Sequence, residues 1–434
     1  MGGAAATGVV TEWRNWSGSV VASPDHIASP RDDAELAAIV RAAAQVRVVG
    51  AGHSFMPLCE TDGTLVSMAD YGGTLEIASD SHTVWAPAGW SLDRLGIALW
   101  AEGLSLINQG DIDPQSLAGA TATGTHGTGA DLGSIATQAC GFRLMLADGT
   151  TTECRLGDEL FEAQRLSLGL FGVATAIRIH VVPAYCLEER IERRHFDAVA
   201  ERIDELGAAT RHMEFFVFPY SNQVTFKTLH PVPAADYVPA KEDETAFRLI
   251  CELGAVAPSM IPTLQRTVMR MSGRATRRSG PAHRIFPSER SIRFEEMEYE
   301  LPRANGIPVL REAIAYIRKH RLPIAFPFEF RLTAADDIWM SPFNAGPGVS
   351  LSFHQYAKMP WREPFAAIEA IFRSGGGRPH WAKRHTLTAA DVHRLYPRAA
   401  DWLRVRERVD PAGKFVNAHL AQLFDIRVAA RLAA

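Results

Sequence analysis

Val49-Gly50-Ala51-Gly52-His53-Ser54-Phe55 follows directly on the apolar run Arg47-Val48-Val49, and its reading decides the N-terminal part of the fold. Glycines at 50 and 52 let backbone N–H groups converge on an anion such as a pyrophosphate. The stretch is not the dinucleotide fingerprint, because no third glycine follows at the right place and no helix clearly begins there. Taken alone it is either an anion cradle or a turn without a ligand. Upstream, Asp32 and Asp33 precede ELAAIVRAAAQV, where Leu36, Ile39, Val40 and Ala43 recur at helical spacing behind an acidic start. Helix, short buried strand (47–50) and Gly-flanked loop in that order predict an α/β or α+β domain.

Working outward, residues 103–134 are rich in Gly, Thr and Ser without a sustained period, and so long an irregular stretch usually serves a function. Within it lies a second small-residue motif, Ser116-Leu117-Ala118-Gly119-Ala120-Thr121-Ala122-Thr123-Gly124-Thr125-His126-Gly127-Thr128-Gly129. Such residues let the backbone pass within van der Waals distance of a flat ligand. CGFRLMLADGTTTECRL alternates about Asp148-Gly149 and reads as a hairpin, and GVATAIRIHVVP reads as a strand ended by Pro183. A domain boundary is expected there, giving units at 1–183, 184–375 and 376–434. The middle unit carries strand-like runs at MEFFVF (213–218), AFPFEFRL (325–332) and GVSLSFHQY (348–356). Its stretch RTVMRMSGRATRRSGPAHR reads as a solvated helix running into a loop rather than as a basic binding face. RLYPRAADWLRVRER reads as a helix interrupted near Pro397, and DPAGKFVNAHL as a final turn.

Composition narrows the function classes. The chain has 434 residues, 47% hydrophobic and 22% charged, so it is folded and long enough for two or three domains at roughly 150 residues each. Lys and Arg number 45 against 49 Asp and Glu, a net charge of −4, which gives no electrostatic case for nucleic acid or an anionic membrane as the main partner. No apolar run approaches the about 18 residues of a membrane helix. The start lacks a basic then apolar leader, and Ala6 stands where a myristoylation site wants Ser or Thr, so a cytoplasmic protein is expected. The five cysteines (Cys59, Cys140, Cys154, Cys186, Cys251) are scattered with no C-x-x-C, and no metal site is expected.

The two small-residue motifs together resemble the flavin domain of the vanillyl-alcohol-oxidase type of FAD-dependent oxidoreductase. More closely, the chain is similar to the aldonolactone oxidase and alditol oxidase branch. The resemblance continues through His212-Met213-Glu214-Phe215-Phe216, Glu296-Met297-Glu298-Tyr299, Pro379-His380-Trp381-Ala382-Lys383 and Asp410-Pro411-Ala412-Gly413-Lys414-Phe415. It thus covers nearly the whole chain in the expected order. The family more often has Gly where Ala382 stands, which leaves the lysine in place.

The resemblance implies an α+β flavoprotein of two domains: an FAD-binding domain and a substrate domain with a large antiparallel sheet flanked by helices, the C-terminal segment returning to the flavin site. It implies FAD bound covalently through His53, whose imidazole can be alkylated at one nitrogen while the other keeps a hydrogen bond. It implies that Gly50, Ala51, Gly52, Ser54, Ser116, Gly119, Thr123, Gly124, Thr125, His126 and Gly127 hold the pyrophosphate, ribityl chain and ring edge, with Val173 and Ala174 at the adenine and His380 near the ring.

On the substrate side Glu329 and Arg331 in FEFRL lie two apart, so a strand puts both on one face. By themselves they read better as a cross-strand surface salt bridge. The resemblance makes them a grip on substrate hydroxyls, with Lys383 and Arg331 stabilising negative charge on the reacting oxygen. It also places His354 and Asp111 against the substrate and makes Trp381 a wall. Gly110 matches the position where a small residue admits oxygen to the flavin edge. The expected reaction is oxidation of an L-gulono- or D-arabinono-1,4-lactone, O2 being reduced to H2O2. Alditol oxidation, an aldonolactone dehydrogenase with a quinone or cytochrome-like acceptor, and a non-catalytic flavin binder stay open, and a monomer is compatible with all of them.

Overall fold

Asp32 caps the helix Asp33–Ala42 by accepting from the Glu35 N–H, and the helix turns Leu36, Ala37 and Val40 inward. This is a computed structural model, describing residues 12–80, 82–234, 236–237, 244–271, 275–288 and 290–428. The chain start read for a leader therefore lies outside the described residues. The helix leads into strand Val46–Val49, which pairs in parallel with Thr64–Ser67, itself parallel to His26–Ala28. A second, five-stranded sheet runs in the order Thr151–Arg155, Ala139–Met145, Val173–His180, Thr83–Pro87, Glu76–Ile77. The hairpin expected about Asp148-Gly149 is its first pair, with Gly149 at φ +75°.

The 103–134 stretch is less irregular than its sequence suggests, for Leu117–Thr123 forms a helix. Ser116 caps it by accepting from Gly119 N–H, and Gly124 at φ +78° ends it. Its apolar face is built from Leu117, Ala120 and Thr121, too small to register as a hydrophobic period. Two further segments differ from the sequence reading. Thr276–Pro281 is an edge strand pairing with Cys186–Ile191, not a loop, because tertiary backbone pairing overrides a sequence with no alternation. Ser272–Arg274, just before it, lie outside the described residues. The final turn continues into the helix Ala418–Phe424, capped by Asn417. The break near Pro397 separates helices Ala389–Leu395 and Ala399–Val409.

The large sheet has eight strands in the order Thr276–Pro281, Cys186–His195, Gln223–Val232, His212–Val217, Phe328–Thr333, Gly348–Tyr356, Phe294–Pro302, Arg378–Pro379, all neighbours antiparallel. Alternation divides its faces. Phe215, Phe328, Phe330, Leu351, Phe353 and Tyr299 pack with helices Gly306–His320 and Arg362–Ser374 into one apolar core, where Phe215 and Phe330 stack at 4.6 Å. Truncating one such buried phenylalanine to alanine costs about 3–5 kcal/mol. The residues between them, Glu329, Arg331, Ser350, Ser352, His354 and, on strand Phe294–Pro302, Glu296, Glu298 and Glu300, face the other way, towards the N-terminal sheets.

The C-terminal segment closes back on the start of the chain. Val46 N–H donates to Lys414 O at 2.9 Å, and the buried Arg47 guanidinium donates to the carbonyls of Leu58, Leu168, Gly169 and Phe415. Asn417 donates to Pro57 O and Glu60 O, each at 2.8 Å, while Asp410 accepts from the Lys414 and Phe415 amides. No helix among the described residues is long and apolar enough to cross a membrane.

Candidate active site

Between the N-terminal sheets and the polar face of the large sheet lies a cleft with about 1590 Å³ of empty space, open solvent at its mouth included. One wall is the 50–54 loop, the next the helix Leu117–Thr123 with Ser116 and Gly119, and Gly110, Asp111, Thr125 and His126 continue it. Val173 and Ala174 line the far end. Glu329, Arg331, His354, His380 and Lys383 line the sheet side. Gly124 and Gly127 do not line the cleft: Gly124 ends the helix, and a Cβ on Gly127 would collide with Gln109 O where two loops cross. Trp381 is no wall either, being fully buried with its indole donating to Met340 O at 2.7 Å.

The 50–54 loop holds unspent donors. Among the described residues the N–H groups of Ala51, Gly52, His53 and Ser54 find no acceptor, and Gly52 sits at φ +67°. The His53 ring stacks on Trp16 at 5.4 Å. Burial, with the nearby Lys383 and Arg293 charges, lowers its pKa to about 4, so the imidazole is neutral and keeps a free lone pair.

The sheet side is a lattice of buried charges set by strand register. Lys227, Glu214, Arg331, Ser350 and Glu300 lie opposite one another across five strands, and Glu329, Ser352 and Glu298 form the next row. Arg331 Nη2 donates to Glu298 Oε2 at 2.8 Å, where Ser352 Oγ also donates at 2.6 Å. His126 Nε2 donates to the other oxygen at 2.8 Å. Burial works against the Glu298 carboxylate, but Arg331 and His126 hold it well below the usual range. Glu296 is lowered to about 2: burial opposes ionisation, yet Lys383, which donates to Oε2, and His354 at 3.3 Å from Oε1 outweigh it. Asp111 faces Lys227 at 3.8 Å and Arg290 at 3.4 Å, and these cations with Arg331 overcome its burial and lower it too. Glu329 Oε1 lies 3.4 Å from Arg331 Nε, yet neither atom has a hydrogen-bond partner among the described residues. Such a buried pair is costly unless a ligand completes it.

Comparison with known proteins accounts for this arrangement. Residues 177–423 match the D-arabinono-1,4-lactone oxidase family, and residues 24–155 match an FAD binding domain. The chain belongs to the D-arabinono-1,4-lactone oxidase family. It is 37% identical over 417 residues to L-gulono-1,4-lactone dehydrogenase of Mycobacterium tuberculosis, covering 93% of this chain and 97% of that one. L-gulonolactone oxidase of Mus musculus and alditol oxidase of a Streptomyces are each 28% identical, over 95% of this chain and 98% of theirs. The crystal structure of cholesterol oxidase from B. sterolicum superposes with a TM-score of 0.80 at 15% identity, covering 95% of this chain and 96% of that one, and shares the fold.

The family's FAD fits the residues present. The orphaned amides of 51–54 suit a pyrophosphate, the neutral His53 imidazole suits alkylation, and the glycine-lined wall leaves room for a flat ring. Sequence reasoning passed over Glu298, Glu300, Glu214 and Lys227 as separate groups. The signal was available: Glu296, Glu298 and Glu300 alternate within a strand, the same period of two that singled out Glu329 and Arg331.

Proposed function

We propose that the protein oxidises a carbinol of an aldonolactone of the L-gulono- or D-arabinono-1,4-lactone type, with FAD held through His53 and O2 as the acceptor, giving H2O2. The observation that carries this reading is the Glu329–Arg331 pair, whose facing Oε1 and Nε atoms lack hydrogen bonds in a cleft that also holds Lys383. Bound FAD supplies a two-electron acceptor. Arg331 and Lys383 place two cations beside the carbinol oxygen, which favours its alkoxide-like form as the C–H bond is broken. Glu329 accepts a hydrogen bond from a substrate hydroxyl and takes its proton, and His354 and Asp111 hold the remaining hydroxyls. Burial of all these groups strengthens each interaction and keeps bulk water away.

The reading divides the chain at residues 183 and 375, supported by the large sheet beginning at Cys186 and by the return of residues 410–417 to the flavin loop. All its groups come from one chain, so a monomer suffices. Free thiols at all five cysteines favour a reducing, cytoplasmic setting.

A second reading, electron transfer to an acceptor other than oxygen, is favoured by the 37% identity to a protein named as a dehydrogenase. Gly110 favours the oxidase, because it lines the cleft at the position where the resemblance puts a small residue for oxygen entry. Anaerobic flavin bleaching scored over L-gulono-, L-galactono- and D-arabinono-1,4-lactone, xylitol and sorbitol tests the substrate class. Oxygen uptake with the reduced enzyme tests the acceptor: turnover that needs dye and ignores oxygen removes the oxidase.

A further inference from the structure

His126 belongs to the flavin-side loop, whereas its partners Glu298 and Glu300 belong to strand Phe294–Pro302 of the large sheet. The three side chains are sealed from solvent, His126 and Glu300 each 1% exposed at the side chain. Both ring nitrogens of His126 meet acceptors: Nδ1 faces Gly127 O at 2.8 Å and Nε2 faces Glu298 Oε1 at 2.8 Å. An imidazole can satisfy two acceptors only as the imidazolium. The single Nε2 hydrogen is spent on Glu298, so Glu300 Oε1, though 3.3 Å from that nitrogen, receives no hydrogen bond, nor does its partner oxygen. A buried carboxyl that no donor reaches holds its proton to a higher pH than usual. Glu298, by contrast, takes three donors and is fixed as the carboxylate that orients Arg331.

We propose that His126 and Glu300 are positioning residues for Arg331: each holds a proton beside Glu298, and the one on His126 keeps the Glu298 carboxylate bridged between the flavin-side loop and the Arg331 guanidinium. The inference rests on the reading of Arg331 as a substrate-gripping cation. As pH rises Glu300 gives up its proton first and His126 second; His126 then has one N–H for two acceptors, and two adjacent carboxylates remain with Arg331 as their nearest cation. Glu298 then swings from His126 or from Arg331, and Arg331, already 3.4 Å from Glu329, follows the alternative carboxylate. The alignment of the grip is lost while the apolar core behind the sheet is untouched.

The surroundings agree. The charged and titratable groups facing the pair are Glu296 and Glu298 on the same strand, Arg331 and Glu329 on the Phe328–Thr333 strand, His380 and Lys383 after the Arg378–Pro379 strand, and Tyr396. His380 is no rival store, since burial lowers it to about 3. Burial would also depress His126, but Glu300 and the bond to Glu298 raise it to about 9, while burial raises Glu300 to about 7.

The test uses the FAD-loaded protein and the apoprotein with 15N-labelled histidine, the His126 signals being those that His126→Gln removes. In wild type His126 should keep the imidazolium signature through neutral pH and titrate near 9. In Glu300→Gln that titration should fall by about one pH unit or more, the effect of removing a close anion. The alkaline limb of kcat/KM should move down by the same amount, with Glu300→Asp restoring part of it. A neutral His126 at pH 7, or a titration that Glu300→Gln leaves in place, overturns the proposal. So does a shifted titration with an unmoved limb, which makes the pair structural only. Wild type that oxidises none of the sugars overturns the functional reading itself, and this is seen before any variant is made.

Discussion

Lys383 and His354 grip opposite oxygens of one carboxylate, that of Glu296, although one residue follows the last strand of the large sheet and the other ends in its middle. Glu296 is directly opposite His354 in strand register, so the sheet fixes where the lysine ammonium stands. The lysine is aimed by the sheet rather than by its own flexible stem.

Replacing that ammonium tests its part in the chemistry. Lys383→Met should slow anaerobic flavin reduction on the order of 10² to 10⁴-fold, the range for a lost charge-stabilising group. Stopped-flow bleaching measures it, and a near-normal rate removes Lys383 from the reacting centre.

His53→Ala should leave flavin that trichloroacetic acid extracts completely, while wild type keeps its colour in the precipitate. A wild type that loses its colour as readily has no covalent link.

Gly110→Ala should depress turnover with oxygen while turnover with an artificial dye persists. The new methyl meets His126 O at 3.1 Å and Thr125 Cγ2 at 3.2 Å, so both loops must give by a few tenths of an ångström. Equal loss with both acceptors would show a general distortion and no gate.

Arg47→Leu should destabilise the protein by about 3 kcal/mol or more, because the carbonyls of Leu168, Gly169 and Phe415 are left without a donor and Leu58 O keeps only Asn417. The urea midpoint reads the loss, and an unchanged midpoint contradicts it.

Stability should also fall on the alkaline side. His126 holds its proton more tightly folded than unfolded, so its contribution is whole below about 6.5 and drains away as pH rises through about 9. Glu300, raised to about 7, acts in the same direction from its ordinary value upward. The drop in thermal midpoint between pH 6.5 and 9.5 should be smaller in His126→Gln, and an equal drop would place its cause elsewhere.

Much of the site was legible in the chain because its signals are local. Glycines 50 and 52 announce a backbone that must approach something closely, and Glu329 with Arg331 is a pair that a strand necessarily presents together. The FAD binding domain and the antiparallel substrate sheet came from the family resemblance that those motifs carry. What escaped depends on long-range register. Glu298 and Glu300 are unremarkable glutamates until His126, Arg331 and Ser350 are set opposite them, and Lys227 finds Glu214 only across a strand pair. The helix Leu117–Thr123 escaped for a different reason, since alanine and threonine bury themselves without marking a period.

Arg47 and the 57–60 loop brace the base of the cofactor cradle, and both wait for carbonyls and an amide from residues 415–417. During translation the first four hundred residues therefore emerge with this brace incomplete. The brace is completed only once residue 417 is free of the ribosomal tunnel and able to fold, so the base of the cradle is set after the sheets that flank it.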